Sequence, residues 1–177
     1  MTAYARFATA IGDCGIAWGE NGVIGLWLPR TDGSLPAATV LRRWPDAIEA
    51  PLPPELQAGV QQIIDLLAGR AKPMLDDLAL DFSRSSDFDA RVYAAARRIA
   101  PGATATYGEL AAQLGDANEA RAVGQSLGRN PFPIVVPCHR VLAAHGKAGG
   151  FSAPGGLIAK HRLLQIEGAL PPSLFDA

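Results

Sequence analysis

The chain has 177 residues, enough to bury one large core or two small ones. Its composition, 49% hydrophobic and 19% charged with a net charge of -1, excludes a disordered or fibrous protein. No apolar run approaches the roughly 20 residues of a membrane span, and the first residues lack a signal-peptide pattern, so we expect a cytoplasmic protein with no membrane partner.

The first 28 residues predict short strands, because runs of apolar and small residues follow one another there. Asn21-Gly22 predicts a hairpin turn between two of these strands, since both residues tolerate a positive φ. Residues 78–82, with the sequence LALDF, predict one more strand.

Between these strands the sequence predicts one helix. Apolar residues recur at helical spacing from Pro54 to Leu67, and Gly69 supplies a stop. The polar residues 83–87, SRSSD, then mark a linker. We therefore predict an N-terminal domain over residues 1–84, a small α/β unit with an antiparallel sheet and helices, in which we find no residues for chemistry.

Capping residues divide the following part of the chain into short helices. Ser86 is predicted to cap a helix that runs to Pro101. Thr106-x-x-Glu109 is a capping-box pattern and opens a second helix, which ends at Gly115. We predict that these helices begin a mostly helical C-terminal domain.

A third helix is predicted next, because Asp116-x-x-Glu119 repeats the capping pattern and Gly128 supplies a stop. Two short helices joined by a glycine turn are the outline of a helix-turn-helix.

The charge is distributed unevenly along the chain. Residues 91–168 carry nine Lys/Arg against four Asp/Glu, whereas residues 1–90 carry seven Lys/Arg against twelve Asp/Glu. Such local positive charge suits a phosphate-binding surface, although on charge alone a solvated face is the simpler interpretation.

The third helix has two different faces. Ala120, Val123 and Leu127 fall on one side, which leaves Arg121 and Gln125 on another. The outward face would enter a DNA groove if this is a helix-turn-helix. Many helical hairpins share the pattern without binding DNA, so the pattern alone leaves both interpretations open.

One cysteine lies among residues that favour reactivity. Ile134-Val135-Val136 predicts a buried strand that delivers Cys138 at its end, beside His139 and Arg140. Positive neighbours lower the pKa of a thiol, and the thiolate is the nucleophile. A buried structural cysteine is the alternative interpretation.

Few other residues are candidates for a site. Glu167 lies at the border of the apolar face that carries Leu163 and Leu164, where its carboxylate would orient His139; an exposed surface glutamate is the alternative. No Cys or His pair has metal-ligand spacing, so no metal site is expected. We interpret Cys14 as a core residue, His145 as a loop residue and His161 as a helix-surface residue.

Several ordered motifs in residues 86–168 carry a resemblance to a known family. They are Arg121-Ala-Val-Gly, Asn130-Pro131, Ile134-Val-Val-Pro-Cys138-His139-Arg140-Val141, Gly150-Phe151-Ser152 and Ile166-Glu167-Gly168. Together they resemble the O6-alkylguanine-DNA alkyltransferases. The resemblance implies a ribonuclease H-like fold for residues 1–84 and a winged-helix-like helix-turn-helix within a C-terminal domain over residues 85–177.

The resemblance also implies a function. Such a protein repairs double-stranded DNA by moving the alkyl group of O6-methylguanine, and of O4-methylthymine, irreversibly onto its own cysteine, once per molecule. Cys138 would be the acceptor, His139 would take the thiol proton through a water, and Glu167 would hold that histidine. No cofactor and no metal are implied. The protein is expected to be a monomer, and the sequence leaves open whether it assembles cooperatively on DNA.

DNA contacts follow from the same resemblance, with approach through the minor groove. Because a buried thiol reaches the alkyl group only after the nucleotide rotates out of the stack, Arg121 would fill the gap that is left. Tyr107 would press on the 3′ phosphate and donate a hydrogen bond to the leaving base, and Asn130 would be the hinge before the acceptor strand. Ala120, Gly124 and Arg129 complete the expected DNA-binding surface.

The resemblance implies a guanine pocket as well. The backbone carbonyls of Cys138 and Val141 would accept the guanine amino group, and the Ser152 N–H would bond its O6. Phe151 stands where many members have tyrosine, and residues 151–156 form a longer segment than in most. Some members hold zinc in their N-terminal domain, but the first 137 residues here contain one Cys and no His.

Two other functions fit parts of the sequence. Alkyltransferase-like proteins bind lesions without reacting, but they commonly carry tryptophan in place of the acceptor, whereas this chain has Cys138. A cysteine hydrolase would use Cys138 with His139, but adjacent residues rarely exchange a proton directly, and Arg121 and Tyr107 would have no role.

Overall fold

The computed structural model describes residues 1–171; the predicted end of the C-terminal domain, at residue 177, lies outside the described residues. The strands and helices follow in chain order: β1 Ala3–Thr9, β2 Gly12–Gly19, β3 Gly22–Trp27, α1 Ala37–Arg43, β4 Ile48–Glu49, α2 Pro54–Leu67, α3 Asp87–Ala96, β5 Ala105–Thr106, α4 Tyr107–Gln113, α5 Ala120–Gly128, β6 Val141–Leu142 and α6 Gly156–Ile166. The protein is thus a sheet-and-helix unit followed by a mostly helical part, as predicted.

The N-terminal sheet has the order β3-β2-β1-β4. The strands predicted in the first 28 residues are confirmed as an antiparallel meander, and helix 54–67 is confirmed as α2. The sheet is mixed rather than antiparallel, because β4 pairs in parallel with β1. Neither β4, of two residues, nor α1 was predicted, since both are too short to show a period.

The predicted hairpin joins β2 to β3, but one residue earlier than expected. Gly19 pairs with Gly22, so Glu20 and Asn21 form the loop. Gly22 has φ +123°, and a Cβ there would come within 2.6 Å of the Ala79 carbonyl oxygen. Glycine is needed at this position both for its conformation and for the close approach.

The strand predicted over residues 78–82 is wrong. Only Leu80 bridges to Val23, with backbone hydrogen bonds on either side of it. Further along the same edge, the Leu26 N–H donates to the Pro131 carbonyl at 2.9 Å. The C-terminal half thus occupies the edge that a longer strand would need.

The C-terminal helices begin as predicted. The Ser86 hydroxyl accepts from the Asp89 N–H at the start of α3, and Thr106 and Glu109 form the capping box of α4. Helix α3 ends at Ala96 rather than near Pro101, because the N–H groups of Arg98 and Ile99 bond three residues back, the tighter pattern of a frayed helix end.

The capping box predicted at Asp116 and Glu119 is wrong. The Asp116 side chain accepts from the Asn118 N–H at 2.8 Å, which supports a 3₁₀ turn over residues 117–119. Helix α5 starts after that turn, with no side-chain cap at Glu119. On α5, Val123 and Leu127 are buried and Arg121 is exposed, as predicted.

Buried residues from both parts of the chain form one continuous cluster, including Ile16 and Leu66 from the first part and Val92 and Leu110 from the second. The division into domains at residues 84 and 85 therefore stays a prediction. None of the helices in residues 1–171 combines the length and apolarity needed to cross a membrane.

Candidate active site and nucleic-acid interface

The segment before Cys138 is a buried turn, so the strand predicted over Ile134-Val135-Val136 is wrong. Ile134 has φ +75°, and the three side chains are at most 3% exposed. The Asn130 side chain replaces strand pairing: its Nδ2 donates to the Val136 carbonyl and its Oδ1 accepts from the Phe132 N–H, both at 2.8 Å. Asn130 thereby folds the chain that presents the thiol.

Cys138 begins a 3₁₀ turn through Arg140, and this turn sends two side chains into the core. His139 Nε2 donates to Glu167 Oε1 at 2.8 Å. Arg140 donates to both oxygens of the same carboxylate, at 2.8 and 2.9 Å, and to the Ile99 carbonyl. All three side chains are at most 3% exposed. The structure therefore brings His139 and Glu167 together and adds Arg140, which was not predicted to contact Glu167.

The buried Glu167 carboxylate fixes which nitrogen of His139 carries the proton. Burial disfavours an ionised Glu167, but the hydrogen bonds from His139 and Arg140 outweigh burial and lower its pKa to about 2. An ionised carboxylate only accepts, so Nε2 of the neutral ring holds the hydrogen and Nδ1 is an acceptor. Nδ1 is buried and has no hydrogen-bond partner in residues 1–171.

The pKa values differ from the expectation of an activated thiol. Burial raises the pKa of the Cys138 thiol, and the Asn130 hydrogen bond and the Lys160 charge offset burial only in part. The resting side chain is thus a thiol that has to lose a proton before it attacks. Burial also lowers the pKa of His139, against the effect of Glu167, so the ring is neutral and able to accept that proton.

Lys160 is a functional candidate that sequence reasoning missed. Its side chain on α6 is fully buried, donates to the Val141 and Gly150 carbonyls at 2.7 and 3.2 Å, and lies 5.9 Å from the centroid of the Tyr107 ring. Burial lowers its pKa to about 8. Its position three and four residues before Leu163 and Leu164 was the available signal, because it places a lysine on the apolar face.

Cys138 lies in a cleft of about 560 Å³ on the surface of the helix-turn-helix. Most of the predicted site residues line this cleft together: Tyr107, Ala120, Arg121, Gly124, Cys138, Phe151 and Ser152. The backbone at Gly149 closes over Tyr107, since a Cβ there would come within 2.8 Å of the phenol oxygen. The exposed Arg121 and the half-buried thiol therefore share one opening.

Other predicted residues lie elsewhere. Arg129 does not line the cleft; its guanidinium pairs with Asp89 at 2.7 Å. Val141 is fully buried, and its carbonyl already accepts from Lys160. The remaining cysteine and histidines are placed as predicted: Cys14 is buried, and His145 and His161 are exposed.

This arrangement has the parts of a covalent acceptor site. The residue with the half-buried thiol is followed directly in the chain by a neutral histidine whose orientation a buried carboxylate fixes, the residue types of nucleophile, base and orienter relays. The cleft opens next to an exposed arginine on α5, the second helix of the helix-turn-helix and the position from which such motifs contact DNA.

Comparison with known proteins gives consistent matches. Residues 87–169 match the family model described as 6-O-methylguanine DNA methyltransferase, DNA binding domain. The chain is 41% identical over 129 residues to a methylated-DNA–protein-cysteine methyltransferase of Mycobacterium tuberculosis, covering 71% of this chain and 75% of the relative. A protein of the same name from Methanothermobacter thermautotrophicus is 35% identical over 159 residues, covering 88% of this chain and 80% of the relative.

Solved structures agree with the sequence matches. The crystal structure of Mycobacterium tuberculosis O6-methylguanine methyltransferase superimposes with a TM-score of 0.75 at 32% identity and covers 99% of this chain and 98% of its own. The structure of Mycobacterium tuberculosis OGT in complex with DNA gives a TM-score of 0.74 at 32% identity, covering 94% and 93%.

Proposed function

Because the chain belongs to the family of methylated-DNA–protein-cysteine methyltransferases, which repair DNA by alkyl transfer to a cysteine, we propose that Cys138 is its acceptor and O6-alkylguanine in double-stranded DNA its substrate. The observation that carries the proposal is the half-buried Cys138 thiol in a cleft shared with Arg121 and Tyr107, beside the buried His139–Glu167 pair. O4-methylthymine is a second expected substrate.

The reaction begins with removal of the thiol proton. His139 Nδ1 accepts this proton through a bridging water, and Glu167 stabilises the imidazolium that forms. The thiolate then attacks the alkyl carbon in line with the C–O6 bond. The S–C bond forms, the C–O6 bond breaks, and its electron pair leaves with guanine, which is protonated on release. A thioether is not readily cleaved, so each molecule acts once.

The base has to leave the DNA helix before this attack. A cleft of about 560 Å³ is large enough for a purine. We assign Arg121 to the gap in the stack and Tyr107 to the 3′ phosphate and the leaving base. The small residues Ala120 and Gly124 on α5 let its backbone approach the DNA closely. Recognition through the minor groove then depends on the shape of the DNA and on the lesion, and it requires no particular base sequence.

Within the pocket, backbone groups recognise guanine. The Cys138 and Val141 carbonyls accept its amino group and the Ser152 N–H donates to O6. The Val141 carbonyl has a second lone pair for this role beside its bond from Lys160. Arg129 contributes charge near the phosphates while it is paired with Asp89. A monomeric state and a cytoplasmic location stay predictions from the sequence.

Incubation with an O6-methylguanine oligonucleotide, followed by intact-mass measurement, tests the proposal. We expect each protein molecule to gain one methyl group, with no turnover beyond one equivalent. Tight binding without a gain in mass would instead indicate a lesion-binding protein that does not react. Hydrolysis of an ester or peptide would indicate a hydrolase.

Arg121→Ala is expected to slow repair of duplex DNA while the thiol keeps most of its reactivity towards free O6-benzylguanine. The reason is that Arg121 acts on the DNA stack and contacts no group of the relay. Loss of one such contact should cost about tenfold to a hundredfold on DNA. Single-turnover rates on both substrates measure the difference. An equal loss on both would remove the arginine from this role.

A further inference from the structure

A second cavity, of about 340 Å³, also borders Cys138. Cys138, Phe151 and Ser152 line both cavities, so the two meet at the acceptor. The second cavity extends from there towards the N-terminal part, where Trp27 and α1 form its wall. It provides space beside the thiol on the side away from the helix-turn-helix.

The second cavity is lined by three arginines and by no acidic residue. Arg42 and Arg43 lie in the last turn of α1, and Arg30 follows β3. All three are exposed, and within residues 1–171 none forms an ion pair. Thr39 also lines the cavity, and its buried hydroxyl has no hydrogen-bond partner within residues 1–171. This positive charge stands out in residues 1–90, which are net acidic.

The geometry of the displacement leads an alkyl substituent towards this cavity. In the proposed reaction, Sγ of Cys138, the alkyl carbon and O6 lie in one line while guanine fills the first cavity. A group on the alkyl carbon extends sideways from that line, and the second cavity is the adjoining space. A methyl group needs none of this space, but a longer alkyl group does.

We propose, on the basis of the proposed function, that this protein favours O6-alkyl groups that carry a carboxylate, such as carboxymethyl, over neutral groups of equal size. A guanidinium pairs with a carboxylate through two parallel hydrogen bonds. The arginines also offset the repulsion between an anionic substituent and the attacking thiolate. Transfer forms S-carboxymethylcysteine: the S–C bond forms, the C–O6 bond breaks, and the electron pair leaves with guanine.

The test compares single-turnover rates on oligonucleotides that carry O6-methyl-, O6-carboxymethyl- or O6-carbamoylmethylguanine. The carbamoylmethyl group is the neutral control, because it has the size and the α-carbonyl of carboxymethyl. We expect wild type to favour carboxymethyl over carbamoylmethyl, and the combined variant Arg30→Gln, Arg42→Gln, Arg43→Gln to lose about 3- to 30-fold of that preference, since each solvent-facing pair contributes little. Methyl transfer should stay within about twofold and shows that the variant is folded.

A matched variant, Arg70→Gln, Lys72→Gln, Arg98→Gln, removes the same charge from residues that line neither cavity and should keep the preference. Added salt should lower the preference of wild type, which tests the idea without any substitution. If wild type transfers the carboxymethyl and carbamoylmethyl groups at equal rates, the preference for a carboxylate is overturned. If it still transfers the methyl group, the proposed function stands. Absence of methyl transfer overturns both.

DNA phosphate is the other anion that these arginines could hold. In that case the triple variant would bind undamaged duplex more weakly, with a reduced salt dependence, and would lose rate equally on all three lesions. This result also overturns the proposal. A loss confined to the carboxymethyl lesion, with unchanged affinity for undamaged DNA, supports it.

Discussion

Replacing Cys138 with serine is expected to abolish alkyl transfer while leaving the affinity for alkylated DNA within about twofold. A hydroxyl is a far weaker nucleophile than a thiolate, and removal of a catalytic nucleophile costs on the order of 10⁴-fold or more. Serine has nearly the same shape in the 3₁₀ turn, so the fold and the cleft should persist. Intact mass after incubation with an O6-methylguanine oligonucleotide measures transfer, and a gel-shift titration measures affinity.

Cys14 offers the matched control for this variant. It is buried in the sheet, where burial raises its pKa to about 12, so it should not react. Cys14→Ala is therefore expected to accept one alkyl group like wild type. If the Cys138→Ser protein gained the alkyl group, the acceptor would have to be sought elsewhere in the chain.

Glu167→Gln is expected to slow alkyl transfer by about 10²- to 10⁴-fold, the range of a positioned general base. The carboxylate holds the hydrogen of His139 on Nε2, whereas the glutamine amide can donate to that nitrogen and move the hydrogen to Nδ1. Nδ1 would then no longer accept the thiol proton. The variant should also lose about 3 to 5 kcal/mol of unfolding free energy, because Arg140 stays buried without its anion.

The pH profile separates this positioning role of Glu167 from a purely structural one. In the variant the rate should rise steeply with pH, since hydroxide can ionise the Cys138 thiol without help from His139. A variant that is only less stable would keep the wild-type profile. Gln165→Ala is the control on the same helix, because that side chain bonds Pro171 and lies outside the network. A wild-type rate and profile in Glu167→Gln would contradict the relay.

The stability of the folded protein at low pH should also depend on the bonds that Glu167 forms with His139 and Arg140. The pKa of Glu167 is lowered from 4.5 to about 2 in the folded protein, so its stabilisation is complete above about pH 4.5 and is lost as the pH falls through about 2. Glu167→Gln should lack this loss of stability between about pH 4.5 and pH 2. Denaturant midpoints of wild type and of the variant, measured across this pH range, give the difference.

Local signals in the sequence predicted several elements correctly. The capping box at Thr106 and Glu109 and the apolar period of α2 depend on residues close in the chain, and both are found. The run Ile134-Val135-Val136 was wrongly predicted to be a strand, because strands and buried turns both bury β-branched residues. What folds this run is the Asn130 side chain, and no sequence period reveals such a bond.

By itself the sequence determined the candidates for the chemistry, because the motif around Cys138 and His139 and the later Glu167 can be identified from residue types and their order. Only the tertiary structure decided how these candidates are arranged and how deeply they are buried. Glu167 and Arg140 meet 27 positions apart in a buried network, and burial raises the pKa of the thiol that its neighbours were expected to lower. The second cavity likewise forms where α1 approaches Cys138. Desolvation and long-range contacts depend on the packed chain, so spacing along the sequence could not supply them.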